Sequence, residues 1–173
     1  MEARAKLLGH AIHPILIVFP LGLLSTAVVF DAIYLIWGNQ TMAVVAYWMI
    51  IAGIVGGLIA APFGWIDWAK IPSGTRAKTV GLMHGLTNTL VLLLFVASWA
   101  MRYDLPEFPP TMASILAFAG FGLSMLGGWL GGELVERLGV GVDEGAHLNA
   151  PNSLTTSTAG PSDASYSKNM ARS

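Results

Sequence analysis

The sequence predicts an all-α integral membrane protein, a four-helix bundle of antiparallel up-down-up-down helices followed by a flexible polar C-terminal tail. Three observations carry this reading. Hydrophobic residues make up 54% of the chain and charged ones only 11%, with a mean hydropathy of +0.64, too apolar for a soluble domain of 173 residues. Four stretches, at 14 to 37, 42 to 64, 79 to 101 and 111 to 132, each reach the roughly 20 apolar residues with which a helix crosses a hydrocarbon core about 30 Å thick. The connections between them are short, so consecutive helices must be antiparallel neighbours.

The first span opens like a signal peptide, with Arg4 and Lys6 ahead of an apolar run and small residues at Ser25, Thr26 and Ala27. The run continues through Val28, Val29 and Phe30 to Trp37, longer than a signal segment, and Tyr34 and Trp37 read as an interfacial anchor. The span is therefore expected to be kept. Pro20 frees the carbonyl of Leu16 and predicts a kink. Asp31, about six residues from the outer end, is expected to face the bundle interior, protonated or hydrogen-bonded to Tyr34, Tyr47 or a backbone group. Such a carboxyl serves either as a bond between helices or as part of a proton or ion relay.

Gly38 to Thr41 reads as a tight polar turn before the second span. Trp65 to Lys78 reads as a longer loop with two interfacial tryptophans and the charged residues Asp67, Lys70, Arg76 and Lys78. Arg102 to Pro110 holds Pro106, Pro109 and Pro110, through which no helix can run. Residues 1–144 thus form the membrane domain. Residues 145–173, rich in Asn, Ser, Thr, Gly and Pro, cannot bury enough apolar surface to offset their ordering entropy and read as a flexible tail, or one ordered only by a partner.

Counting Lys and Arg by side gives Arg4, Lys6, Lys70, Arg76, Lys78 and Arg137 on one side and only Arg102 on the other. The positive-inside rule then sets both termini and the middle loop in the cytoplasm, with the chain multi-pass in a bacterial inner membrane. Glycines recur at four-residue spacing: Gly53 with Gly57, Gly81 with Gly85, and Gly127 and Gly128 with Gly131 and Gly132. Such spacing lets transmembrane backbones approach closely, within the bundle or in a homodimer.

A net charge of -1 gives no basic patch for nucleic acid. Without cysteine there is no thiolate chemistry, and His and carboxylates are the strong metal ligands left. No hydrolase, nucleotide-binding or metalloprotease motif is present, so the chain is expected not to be an enzyme by itself.

The histidines carry the chemistry that remains. His10 and His13 form a His-x-x-His pair before the first span, with Pro14 in the first helical turn and His13 expected at the helix cap. His84 lies five residues into the third span, about 7 Å inside the same surface at 1.5 Å per residue, on one face with Asn88 and between Gly81 and Gly85. Two chemistries fit. Imidazoles on facing helices can ligate the iron of haem b, with the glycines giving a porphyrin room. Alternatively, the three histidines with Asp67 can hold a transition metal such as Zn, Cu or Fe. The purely structural alternative has His10 and His13 meeting headgroups and His84 bonded to a helix carbonyl or Asn88.

The segments GHAIHPILIVFPLGLL, FDAIYL, AAPFGWIDW, IPSGTRAK, GLMHG and GGELVERLGVGV resemble a family of predicted bacterial membrane proteins of unknown function. The resemblance covers almost the whole membrane part and rests on Gly-His-x-x-His-Pro, Phe-Gly-x-x-Asp-Trp and Ile-Pro-x-Gly-Thr. It implies a four-helix membrane domain and, because some relatives look fused to Rieske-type iron-sulfur domains, a redox setting. The matching positions are His10, His13, Pro14, Phe63, Gly64, Asp67, Trp68, Gly74, Thr75, Arg76 and His84. Relatives often have a histidine where Leu138 stands here, so the resemblance implies at most one haem site.

Two functions follow as expectations: a haem b or metal-binding redox accessory, and a non-catalytic subunit of a larger respiratory, photosynthetic or transport assembly in the bilayer. A small proton channel or transporter using Asp31 and the histidines is a third, and would need a dimer for room.

Overall fold

Inside a bilayer every backbone N–H and C=O must be satisfied within the chain, which leaves long helices as the economical solution for apolar stretches. The computed structural model describes residues 1–154. In it, four helices are long and apolar enough to cross a membrane: Ile12–Trp37, Gln40–Lys70, Arg76–Met101 and Thr111–Arg137.

The first is two pieces, α1 (Ile12–Leu16) and α2 (Val18–Trp37), broken at Ile17. Pro20 has no N–H to give the Leu16 carbonyl, so the ladder fails one turn before the proline. The ring of Pro20 is also a packing element, since it faces Gly56 at 3.2 Å from where a Cβ would stand. Gly38, at φ +67, ends α2 in a left-handed cap, and the Asn39 side chain accepts from Thr41 N to start α3 (Gln40–Lys70). α4 (Arg76–Met101) begins under a Thr75 cap, and α5 (Thr111–Gly132) follows the prolines and ends in one π-helical turn, Glu133–Arg137.

The loop expected at Trp65 to Lys78 is mostly helix. α3 continues to Lys70 and α4 starts at Arg76, which leaves five residues, Ile71 to Thr75, as the connection. The reason is an interlock of helix ends. Trp68 Nε1 donates to Lys78 O at 3.0 Å, Lys78 Nζ donates back to Trp68 O at 2.9 Å, and Lys78 Nζ lies 3.8 Å from the centre of the Trp68 ring. A cation on the last carbonyls of α3 also favours that end of the helix dipole.

A second departure precedes the bundle. Lys6–Leu7 (β1) and His10–Ala11 (β2) pair antiparallel around Leu8 and Gly9, both at positive φ, as a two-residue hairpin. His13 accordingly sits inside α1 rather than at its cap.

α2 packs on α3 and α4 on α5; the two hairpins meet through α3 with α4 and α2 with α5. Leu24, Ala27, Val28, Ala46, Ile50, Ile54, Val91, Phe95 and Ala117 form the mid-bundle core. A Cβ at Gly53 would lie 2.5 Å from Leu24 Cδ2, and one at Gly57 2.6 Å from Leu92 Cδ2. These glycines serve internal packing. Of the tail read over residues 145–173, the part from 155 onward lies outside the described residues.

Candidate functional site

Two groups of interacting polar side chains stand out, one at the end carrying the N-terminus and the α3–α4 connection, the other at the opposite end.

At the first end, His13 on α1 and His84 on α4 face each other edge to face, their ring centres 6.4 Å apart and their planes at 84°. His13 Nδ1 lies 3.0 Å from Ala60 O on α3, and His84 Nδ1 lies 2.9 Å from Gly127 O on α5. A carbonyl oxygen only accepts, so both rings present Nδ1–H to it, which leaves Nε2 as the nitrogen open to another partner. Among the described residues Nε2 of His13 has no partner, and Nε2 of His84 has only Asn88 Nδ2 at 3.4 Å. The shorter bond of Asn88 Nδ2 goes to His84 O at 2.9 Å.

Glycines set the rings in place. A Cβ on Gly64 would stand 2.9 Å from His13 Cε1, one on Gly131 3.1 Å from His84 Cε1, and one on Gly127 2.6 Å from Asn88 Oδ1. Tryptophans of α3 pack against the two glycines that flank His84. Trp68 Cδ1 lies 2.7 Å from a Cβ position on Gly81, and Trp65 covers Gly85 at 3.5 Å.

The other two predicted residues stand elsewhere. His10 is exposed on β2, with Nε2 3.2 Å from Ser153 Oγ. Asp67 Oδ1 accepts from Arg4 N at 2.7 Å and Ala5 N at 3.1 Å, which ties the N-terminal segment to α3. The structure brings together two of the three histidines; among the described residues no three or more His, Asp or Glu side chains converge so that they could hold a metal ion. Lys6, on the same strap, bonds Glu2 at 2.7 Å and faces Asp143 at 3.6 Å. Glu2 raises the Lys6 pKa, and the backbone N–H of Gly145 lowers that of Asp143.

At the opposite end Asp31 is fully buried, but its partner is neither Tyr34 nor Tyr47. Arg102 Nη1 meets Oδ1 at 2.8 Å and Nη2 meets Oδ2 at 3.0 Å, and both side chains are at 0% exposure. Arg102 also donates to Ser98 Oγ and Ser98 O, and Ser98 Oγ donates to Ala113 O at 2.6 Å. Arg102, counted as a free loop cation from the sequence, is thus inside the bundle. A carboxyl within a membrane span requires a partner, and among the described residues Arg102 is the only Lys or Arg at that end of the bundle. That was the signal available. Tyr34 instead lines a surface cleft with Leu35, Gly38, Gln40 and Phe108.

The residues of the Gly-His-x-x-His-Pro, Phe-Gly-x-x-Asp-Trp and Gly-Leu-Met-His-Gly segments therefore meet at one end of the bundle, and residues 9–144 match the DUF2231 family of predicted membrane proteins. The chain belongs to the DUF2231 family. No curated protein and no solved structure matches it. The DUF2231 region takes in all four long helices, the His13–His84 pair and the Asp31–Arg102 pair.

Proposed function

We propose that the protein is a redox accessory of the membrane in which His13 and His84 hold one transition-metal ion through their Nε2 atoms. One observation carries this: both imidazoles donate Nδ1–H to backbone carbonyls, the arrangement that orients a metal-ligating histidine. A single ion is favoured over haem b because Trp65 and Trp68 cover the glycines beside His84. Copper or iron there would supply one-electron transfer. The chain's own part is to fix both rings, through Ala60 and Gly127, and to limit water with the flanking tryptophans.

A carrier is favoured over a channel by the layer between the two polar groups. From Asn88 to Ser98 α4 rises about 15 Å past buried Val91 and Phe95, against Leu24, Val28, Ile50 and Ile54. The same reading sets the histidine end in the cytoplasm of a bacterial cell. Its support is that Arg4, Lys6, Lys70, Arg76, Lys78 and Arg137 belong to that end, whereas Arg102 is buried.

The test is metal analysis with absorption and electron paramagnetic resonance spectra of the detergent-purified chain beside His13→Ala and His84→Ala. The expected result is near-stoichiometric metal that falls in both variants. A Soret band would move the assignment to haem b, and a folded, colourless, metal-free protein would remove the cofactor reading.

A role as an assembly subunit has its own observation. Gly128 and Gly132 open outward with nothing within 4 Å of a Cβ position, a four-residue small pair on which a partner helix can pack. Loss of a co-purifying complex in Gly128→Leu, with metal content unchanged, would favour it.

A further inference from the structure

Trp129, Gly132, Glu133, Glu136 and Arg137 line a cleft of about 430 Å³ on the end of α5 and its π-helical turn. Their spacing of three and four residues puts them on one helical stripe. Gly132 opens the cleft, because its position carries no side chain and nothing lies within 4 Å of where one would start. Trp129 is 62% exposed where the apolar span gives way to charge, the level of the membrane interface.

The charges are unevenly used. Glu133 is paired with Arg76 of α4. Glu136 and Arg137 are neighbours in sequence and both line the cleft, yet among the described residues neither side chain makes an ion pair or hydrogen bond. A groove with an aromatic, apolar end and an unpaired carboxylate and guanidinium at the other is complementary to an amphiphile whose head carries both charges.

We infer that this cleft binds a phospholipid headgroup carrying a phosphate and a primary ammonium, with the phosphate on Arg137 and the ammonium on Glu136. The planar guanidinium matches phosphate oxygens bidentately. The ammonium supplies N–H donors to the carboxylate, which a quaternary ammonium lacks. A purely anionic head would leave Glu136 repelling it. The lipid's glycerol region lies over bare Gly132 beside Trp129, so the ligand is a lipid rather than a soluble phosphate ester. This inference does not depend on the histidine pair.

The experiment is native mass spectrometry of the full chain released from nanodiscs of equal phosphatidylethanolamine, phosphatidylcholine and phosphatidylglycerol. Phosphatidylethanolamine should be retained preferentially, with retention falling about fivefold in Arg137→Gln and in Glu136→Gln, as for loss of one exposed ion pair. Gly132→Leu should block retention without a fold defect, because its side chain enters open space. Equal retention of the three lipids, unchanged retention in both charge variants, or displacement by soluble phosphoethanolamine at the lipid's own concentration would each overturn the assignment.

Discussion

Asp31 of α2 and Arg102 at the end of α4 form a bidentate ion pair at 2.8 and 3.0 Å with no exposed side-chain surface on either residue. The pair joins the α2–α3 hairpin to the α4–α5 hairpin. Removing one partner leaves an uncompensated charge in a low-dielectric interior, so Asp31→Ala and Arg102→Ala should each cost about 3–5 kcal/mol. Replacing both by apolar residues of similar size, Asp31→Leu with Arg102→Met, should restore much of the loss. Reversible unfolding in mixed detergent checks this, and a double variant as unstable as the singles would refute it.

Adjacent glycines on α5 should behave oppositely. A Cβ on Gly127 meets Asn88 Oδ1 at 2.6 Å, whereas one on Gly128 meets nothing within 4 Å. Gly127→Ala should destabilise by about 1–3 kcal/mol, as overpacking does, and disturb the His84 ring through Asn88. Gly128→Ala should be neutral within about 0.5 kcal/mol. The same unfolding measurement, with imidazole chemical shifts, separates them.

Asp67→Ala should release the N-terminal strap without emptying the histidine site. The backbone N–H groups of Arg4 and Ala5 lose their acceptor, and hydrogen exchange over residues 1–11 should speed up by at least about tenfold, the equivalent of roughly 1.4 kcal/mol for an orphaned pair of donors. Metal content should stay at the wild-type level. Its loss would make Asp67 a ligand after all.

The strap also carries a pH window. Glu2 holds Lys6 above the ordinary lysine range, so that contribution is complete below that range and is lost as the pH rises through the folded value. The Gly145 N–H holds Asp143 below the ordinary carboxylate range, so its contribution is present above that range and is lost as the pH falls through the folded value. Protection of the Gly145 amide should therefore be flat between about pH 5 and 9 and fall outside those limits. Protection that varies steadily across this interval would contradict the assignment.

The candidate site was only partly legible in the sequence. His13 and His84 could be set on the same side because each is near the same end of an apolar span. His10, three residues before His13, was drawn toward them by proximity in the chain. The Leu8–Gly9 turn places it instead on an exposed strand. Asp67 carried a ligand's chemistry but serves as an acceptor for two backbone N–H groups more than 60 residues away in sequence.

By itself the sequence determined the number of membrane-length helices, their antiparallel order and the side on which the cations gather. Bilayer thickness fixes the length of an apolar run, and prolines and glycines end it locally. The helix ends at Lys70 and Arg76, the pairing of Asp31 with Arg102, and the carbonyls that orient His13 and His84 were decided only by tertiary structure. Each depends on groups brought together across different helices, and a mean hydropathy or a residue spacing within one helix contains no term for such a contact.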